Sequence, residues 1–239
     1  MPRRQRRPQP RADLTAPTED YLKVIYEIER DGGAAGTNDI AAQLAIAPAS
    51  VSGMIRRLAG QGLLKHERYH GVKLTPAGRT AALRTIRRHR IIECYLTQVL
   101  GYEWDRVHDE AERMEHAASD ELIDRMATAL GDPVVDPHGA PIPTREGTVD
   151  ERRHPSLADL KVGERARIVR MSDEDSGFLR YLAGLGITPG ANVEVADRAP
   201  FDGPLTVKIG RATHAVGASA ASRVYIEVPA AAASGRARR

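Results

Sequence analysis

Residues 37–76, TNDIAAQLAIAPASVSGMIRRLAGQGLLKHERYHGVKLTP, decide the fold. Thr37 stands as an N-cap for a short helix that runs to Leu44. After Ala45-Ile46-Ala47, Pro48 sits where the first turn of a helix needs no N–H. From there Val51, Met54, Ile55 and Leu58 recur at helical spacing and make one apolar face, which ends near Gly60-Gln61-Gly62. Two short extended runs, Leu63–Arg68 and Val72–Thr75, joined through Tyr69-His70-Gly71, predict a β-hairpin. Upstream, Thr18-Glu19-Asp20 opens an amphipathic helix with Tyr21, Leu22, Ile25, Tyr26 and Ile28 at helical spacing, closed by the glycine-rich loop 31–36. Three helices followed by a hairpin predict a winged helix-turn-helix over residues 15–76, with Pro48–Ala59 as recognition helix. Small polar and basic groups suit a DNA major groove. The expected DNA-facing residues are therefore Thr37, Pro48, Ala49, Ser50, Ser52, Arg56, Arg57 and, on the wing, Tyr69.

The next segment, residues 77–132, predicts a long helix from about Ala77 to Leu100 and a second from about Asp105 to Leu130, stopped by Gly131-Asp132-Pro133. Their apolar residues, among them Ile86, Ile91, Ile92, Leu96, Leu122, Ile123 and Met126, exceed what two helices need against one wing domain. Part of them is expected to form a dimer interface. His89 and Glu93 lie four apart on the first helix, and His108, Glu112, Glu115 and His116 follow on the second. Side chains three and four apart share a helix face. A solvated surface laced by i, i+4 pairs would account for any one of these residues. A divalent cation would use all of them. Catalytic patterns fail: no His-Glu-x-x-His occurs, Glu112-Arg113-Met114-Glu115-His116 has Glu where the inverted form wants His, and no glycine-rich phosphate loop is present. An enzyme is not expected.

Residues 133–156 are proline-rich without periodicity and predict a linker. Over 157–228 five short runs, Ala166–Arg170, Asn192–Ala196, Leu205–Ile209, Thr213–Val216 and Val224–Val228, read as strands around a helix near Gly177–Leu185, a small SH3-like β-barrel. The fold class is thus mainly α with a small β domain. The ends, 1–14 and 229–239, are basic tails of disordered composition. Residues 1–12 hold five arginines and 230–239 hold three, so removing these eight from the net charge of +3 leaves the body at −5. The single cysteine, Cys94, lies among apolar neighbours and reads as a buried hydrophobe in a reducing cytoplasm. No apolar run is long enough to span a membrane.

This combination resembles the diphtheria-toxin-repressor family of metal-dependent transcription regulators, in its manganese-type form (manganese transport regulator) with a C-terminal SH3-like (FeoA-like) domain. The resemblance rests on Thr18-Glu19-Asp20-Tyr21-Leu22, Arg88-His89-Arg90, Val107-His108-Asp109-Glu110-Ala111-Glu112 and Glu115-His116-Ala117-Ala118-Ser119-Asp120. It implies a primary metal site of Asp20, Glu112, Glu115 and His116. It also implies an ancillary site of His89, Glu93, His108 and Asp173, with Asp175 a rival for the last ligand. Iron-type members place Met and Cys where this chain has Asp20 and Glu112, and manganese-type members place Asp and Glu. Hard oxygen donors suit Mn²⁺. Lys23 departs from compact manganese sensors, which carry an acid there. Ser176 stands nearest to a glutamine of iron-type members. The resemblance implies a cytoplasmic homodimer that binds a palindromic double-stranded DNA operator when loaded with Mn²⁺, without an organic cofactor. Alternatives are an Fe²⁺-responsive member of the family and a metal-independent winged-helix regulator.

Overall fold

The computed structural model describes residues 14–67, 71–173 and 175–229. Tyr69 and nearly all of both basic tails lie outside them. The chain forms two compact units, residues 1–85 and 86–239.

In the first unit, α1 (Ala16–Asp31), α2 (Thr37–Gln43) and α3 (Pro48–Gly60) precede the antiparallel hairpin β1 (Leu64–Glu67) and β2 (Gly71–Leu74). Leu22, Ile25, Ile40, Val51, Ile55, Leu58, Leu64 and Val72 are buried, so each element contributes its apolar face to one core. The backbone of Ala35 exchanges both hydrogen bonds with Val72, which ties the loop after α1 to the hairpin. Gly71 is required by that approach. Its φ is 109°, and a Cβ there would meet the Ala35 carbonyl oxygen at 2.2 Å. The three helices and the wing stand where the hydrophobic periods predict, except that Thr37 is the first residue of α2 and not its N-cap, a place taken by Gly36 with no side-chain cap bond.

α4 (Pro76–Gln98) starts at a Thr75 cap, whose Oγ1 accepts from Gly78 N–H at 3.1 Å. The single helix expected over 105–130 is two helices, α5 (Val107–Glu115) and α6 (Asp120–Ala129). The break has a local cause. Ser119 caps α6, its hydroxyl accepting from Leu122 N–H at 3.2 Å, with Asp120 and Glu121 in the favourable first turn. His116 therefore ends α5 instead of lying within a continuous helix. Val107, Ala111, Ile123 and Ala127 bury against Ile91, Ile92 and Leu96 of α4 in one cluster.

The barrel comprises β3 (Arg165–Met171), α7 (Ser176–Gly184), β4 (Asn192–Arg198), β5 (Leu205–Ile209), β6 (Ala212–Val216), α8 (Ala218–Ala221) and β7 (Val224–Glu227). All pairings are antiparallel, in the order β6-β5-β4-β3-β7. Register shifts at Ile168/Arg170 and Val195/Asp197 bend the sheet around its core. Trp104, from the turn before α5, packs against that core.

The proline-rich stretch begins as a packed segment. Arg90 and Arg87 of α4 donate to the carbonyls of Pro141 and Pro143 at 2.5 and 2.9 Å, and Ile142 joins the helical core. Gly139, at φ 86°, lets the chain pass the Val169 carbonyl, where a Cβ would come within 1.9 Å. Lack of periodicity here reflects docking through backbone carbonyls and isolated side chains. Beyond Pro143 no residue up to Ser156 is buried.

Candidate metal centre

α4 and α5 bring the predicted stripe together. On α4, His89 and Glu93 share a buried face, with His89 Nε2 3.1 Å from Glu93 Oε1. His108 of α5 closes on the same point, its Nδ1 3.2 Å from His89 Nε2 and 3.7 Å from Glu93 Oε1. The other edge of the His89 ring meets the second carboxylate group. Nδ1 is 2.5 Å from Glu115 Oε2 and 3.7 Å from Glu112 Oε1. His116 Nε2 lies 3.6 Å from Glu115 Oε1. Asp20, half-buried on α1, belongs to the other unit.

Two residues that sequence reading passed over complete the centre. Asp136 and His138, on the docked proline-rich segment, are buried beside Glu93. His138 Nε2 is 2.8 Å from the Trp104 carbonyl, which can only accept, so this nitrogen carries the proton. In the neutral ring Nδ1 is then a bare lone pair. It faces Glu93 Oε1 at 3.7 Å and Asp173 Oδ2 at 3.8 Å, both acceptors themselves. Asp136 Oδ1 accepts from the backbone N–H groups of His138 and Ala140, and Oδ2 sits 3.4 Å from the Arg90 guanidinium. Glu93 Oε2, Asp136 Oδ2 and His138 Nδ1 are all buried without a hydrogen-bond partner. Burying such atoms unpaired is costly. A shared cation satisfies them at once, and a ligand histidine held by its other N–H on a carbonyl is the usual orienting arrangement. The sequence signal was an isolated Asp-Pro-His-Gly in an aperiodic stretch.

Charges follow the geometry. Burial pushes the Glu93 carboxyl up, but His89, with His108 and His138, outweighs it and holds the group below the usual carboxylate range. For His108, burial lowers the imidazole pKa, yet contact with Glu93 and the charge of Asp173 leave it raised. Burial, then Glu93 and Asp173, push Asp136 up to about 6 despite Arg90. Burial also pushes the Cys94 thiol up to about 12, and Cys94 belongs to none of the ligand groups found among the described residues.

Asp173 and Asp175 have different environments. Asp173 follows β3 and joins the Glu93–Asp136–His138 group. Asp175 is the N-cap of α7, accepting from Phe178 N–H at 3.0 Å, and Ser176 is that helix's first residue. Asp175→Ala is expected to lower stability by about 1 kcal/mol, as loss of a cap does, with Mn²⁺ titration unchanged. Asp173→Ala is expected to weaken one Mn²⁺ binding event in calorimetry. Equal calorimetric effects of the two substitutions would refute the distinction.

In the first unit, α3 exposes Pro48, Ala49, Ser50, Ser52, Arg56 and Arg57, while Thr37 is half-buried at the start of α2. This leaves one polar and basic helix face open to a groove.

Comparison with known proteins agrees in all three regions. Residues 13–72 match the iron dependent repressor, N-terminal DNA binding domain, 75–144 the iron dependent repressor, metal binding and dimerisation domain, and 156–228 the FeoA domain. The chain is 35% identical to the diphtheria toxin repressor of Corynebacterium efficiens over 193 residues, 77% of this chain and 84% of that protein. Among solved structures it is similar to a manganese-dependent transcriptional repressor in complex with manganese, with TM-score 0.82, 39% identity and coverage of 88% of this chain and 99% of that one. It is also similar to the manganese regulator SloR, with TM-score 0.76, 30% identity and coverage of 90% and 100%. These relatives are repressors and regulators of transcription, not enzymes. A winged helix with an open recognition face, paired helices around a carboxylate–imidazole centre and an SH3-like FeoA barrel thus place this chain in the diphtheria toxin repressor family, as a metal-dependent, DNA-binding transcriptional repressor that acts as a homodimer.

Proposed function

We propose that the chain is a manganese-responsive repressor of metal-homeostasis genes, acting in the cytoplasm on a palindromic operator. The observation that carries this reading is the donor set. Every side chain gathered at the centre offers oxygen or imidazole nitrogen, and the buried Cys94 belongs to none of the groups found among the described residues. Hard oxygen donors with imidazole suit Mn²⁺, whereas sulfur ligands favour softer metals. The manganese-bound relative at 39% identity supports the same choice.

In this reading Asp20, Glu112, Glu115 and His116 form the primary position. Glu93, Asp136, His138 and Asp173, flanked by His89 and His108, form the ancillary one. The cation supplies a positive charge shared among carboxylates that otherwise repel. Asp20 belongs to the DNA-binding region, 15–76, and the other primary ligands to the dimerisation helices, 77–132. Ligation of one ion by both selects the DNA-competent arrangement, and by linkage operator DNA tightens metal binding. Among the described residues, the barrel, 157–228, contributes Asp173.

Anaerobic titration calorimetry with Mn²⁺ and with Fe²⁺, paired with an operator mobility shift, tests the choice. The manganese reading expects operator binding at a lower free Mn²⁺ than free Fe²⁺, and the reverse order makes the chain an iron regulator. That second reading draws on the match to iron-dependent repressor domains. Asp20→Met with Glu112→Cys is expected to move the response toward Fe²⁺ and Co²⁺, because sulfur replaces hard oxygen at two positions. An unchanged metal ranking in that double variant means these residues do not set selectivity.

A further inference from the structure

α5 ends at Glu115 with His116 as its C-cap, α6 begins at Asp120, and one buried guanidinium reaches both sides of that break. Arg88 of α4, 6% exposed, donates from Nη1 to the Glu115 carbonyl oxygen at 3.2 Å, and its Nε lies 3.5 Å from Asp120 Oδ1. Glu115 and His116 are consecutive residues of the proposed primary position. We propose that Arg88 is a positioning residue for that pair: through the backbone of Glu115 and the first turn of α6 it holds the break that aims both side chains. The inference rests on the primary-site reading above and goes beyond it, since Arg88 is outside the ligand set.

In an uninterrupted helix the Glu115 carbonyl would accept from the N–H four residues on. At a helix end the last four carbonyls lack such a donor, and a buried one left unanswered is costly. A guanidinium suits the place, because its planar fork carries five N–H donors, is always charged and serves two acceptors at fixed angles. Its charge also suits both helix ends: a cation is favourable beside the carbonyl end of α5, and Asp120 is favourable in the first turn of α6. The intervening N–H groups of Ala117 and Ala118 turn back on the Met114 carbonyl, each at 3.1 Å. The Glu115 side chain is fully buried, so its direction follows from its backbone. A ligand pair whose backbone is fixed before the ion arrives loses less conformational freedom on binding. A slack break lets Glu115 and His116 diverge, and the ion must then restore their alignment at its own expense.

The test uses the full-length chain. Mn²⁺ calorimetry is read at two events, the one that His116→Ala removes and the one that Asp173→Ala weakens. Arg88→Met keeps the apolar stem and loses the fork. It is expected to weaken the first event at least about tenfold, the scale on which outer partners orient metal ligands, and to leave the second unchanged. Arg88→Lys, with one ammonium in place of the fork, is expected to stay below the parent's affinity at the first event. In the metal-free protein, amide exchange of Ala117, Ala118 and Leu122 is expected to become at least about tenfold faster in Arg88→Met, the worth of a hydrogen bond to a charged group. Asp120→Ala keeps the idea testable if Arg88→Met does not fold, because the Asp120 side chain is half-exposed. Its loss is expected to weaken the first event about two- to fivefold, the scale of a partly exposed ion pair, with the second unchanged. The positioning role is overturned, with the metal sites left standing, by a first event that in Arg88→Met is parental or weakened equally with the second. Parental affinity in Arg88→Lys, unchanged exchange at the break or a parental first event in Asp120→Ala overturns it likewise. If His116→Ala removes no Mn²⁺ event, the primary site itself is wrong and the positioning role falls with it.

Discussion

Glu112→Ala or His116→Ala is expected to abolish Mn²⁺-dependent operator binding while leaving a folded dimer. Both side chains are partly open, 40% and 20% exposed, so truncation leaves no large cavity and costs little stability. Each removal takes one donor from the proposed set of four. Losing an outer partner of a metal ligand already costs roughly 10–100-fold in affinity, and losing the ligand itself costs more. Operator mobility shift against free Mn²⁺, with size-exclusion chromatography to confirm the dimer, reads both halves of the expectation. A parental manganese response in either variant would falsify the primary-site assignment. The same two variants leave α4 intact, so the ancillary titration event is expected to persist.

The second large effect belongs to Glu93→Ala. This carboxylate is fully buried among the imidazoles of His89, His108 and His138. Removing one member of a buried charged group typically costs about 3–5 kcal/mol, because the others lose their counterion. Urea unfolding of the metal-free variant is expected to show a loss on that order, together with loss of the ancillary Mn²⁺ event. The pH dependence has a definite sign. Glu93 is held below its ordinary pKa in the folded chain, so its stabilisation is present above the unfolded pKa and fades as pH falls through the lower folded value. Asp136 acts oppositely: raised to about 6, it destabilises the metal-free fold at neutral pH, and that penalty fades as pH falls through this value and is gone only below the ordinary carboxyl pKa. On the proposed ancillary site Mn²⁺ needs Asp136 ionised, and it is accordingly expected to raise the melting temperature more at pH ~7.5 than at pH ~5.5. A metal-induced shift that is equal at both pH values contradicts a role for Asp136 at the ancillary position.

The winged helix was legible because its elements are short, strongly periodic and bounded by Pro48, Gly60 and Gly71, each with a local physical reason. The barrel strands were legible from the same alternation between turns. The break between α5 and α6 was hidden because Glu115-His116-Ala117-Ala118 is compatible with continuing a helix, and only the Ser119 cap decides otherwise. It matters for the site, since His116 sits at a helix end. Asp136 and His138 were missed for a different reason. Their segment is held by carbonyls of Pro141 and Pro143 taken up by Arg90 and Arg87, and no hydrophobic period records that kind of docking. Trp104 left no trace either: its packing on the barrel core is a contact between segments far apart in the chain. Periodicity reports faces of single elements, whereas this centre is assembled from α4, α5, a docked loop and the end of β3.

The docking of residues up to Pro143 shortens the free connection to the barrel. Only residues 144–155 span from that anchor to Ser156, and none is buried. A flexible stretch of this length has a root-mean-square reach of about 20 Å. Ends joined by so short a tether meet at an effective concentration on the order of millimolar. If Asp173 is the barrel's ligand, as proposed, it therefore returns to Glu93, Asp136 and His138 as an internal donor and not as one recruited from solution. On the proposed ancillary site, the barrel's share of the metal affinity is thereby independent of the number of repressor copies, because each chain carries that donor with it.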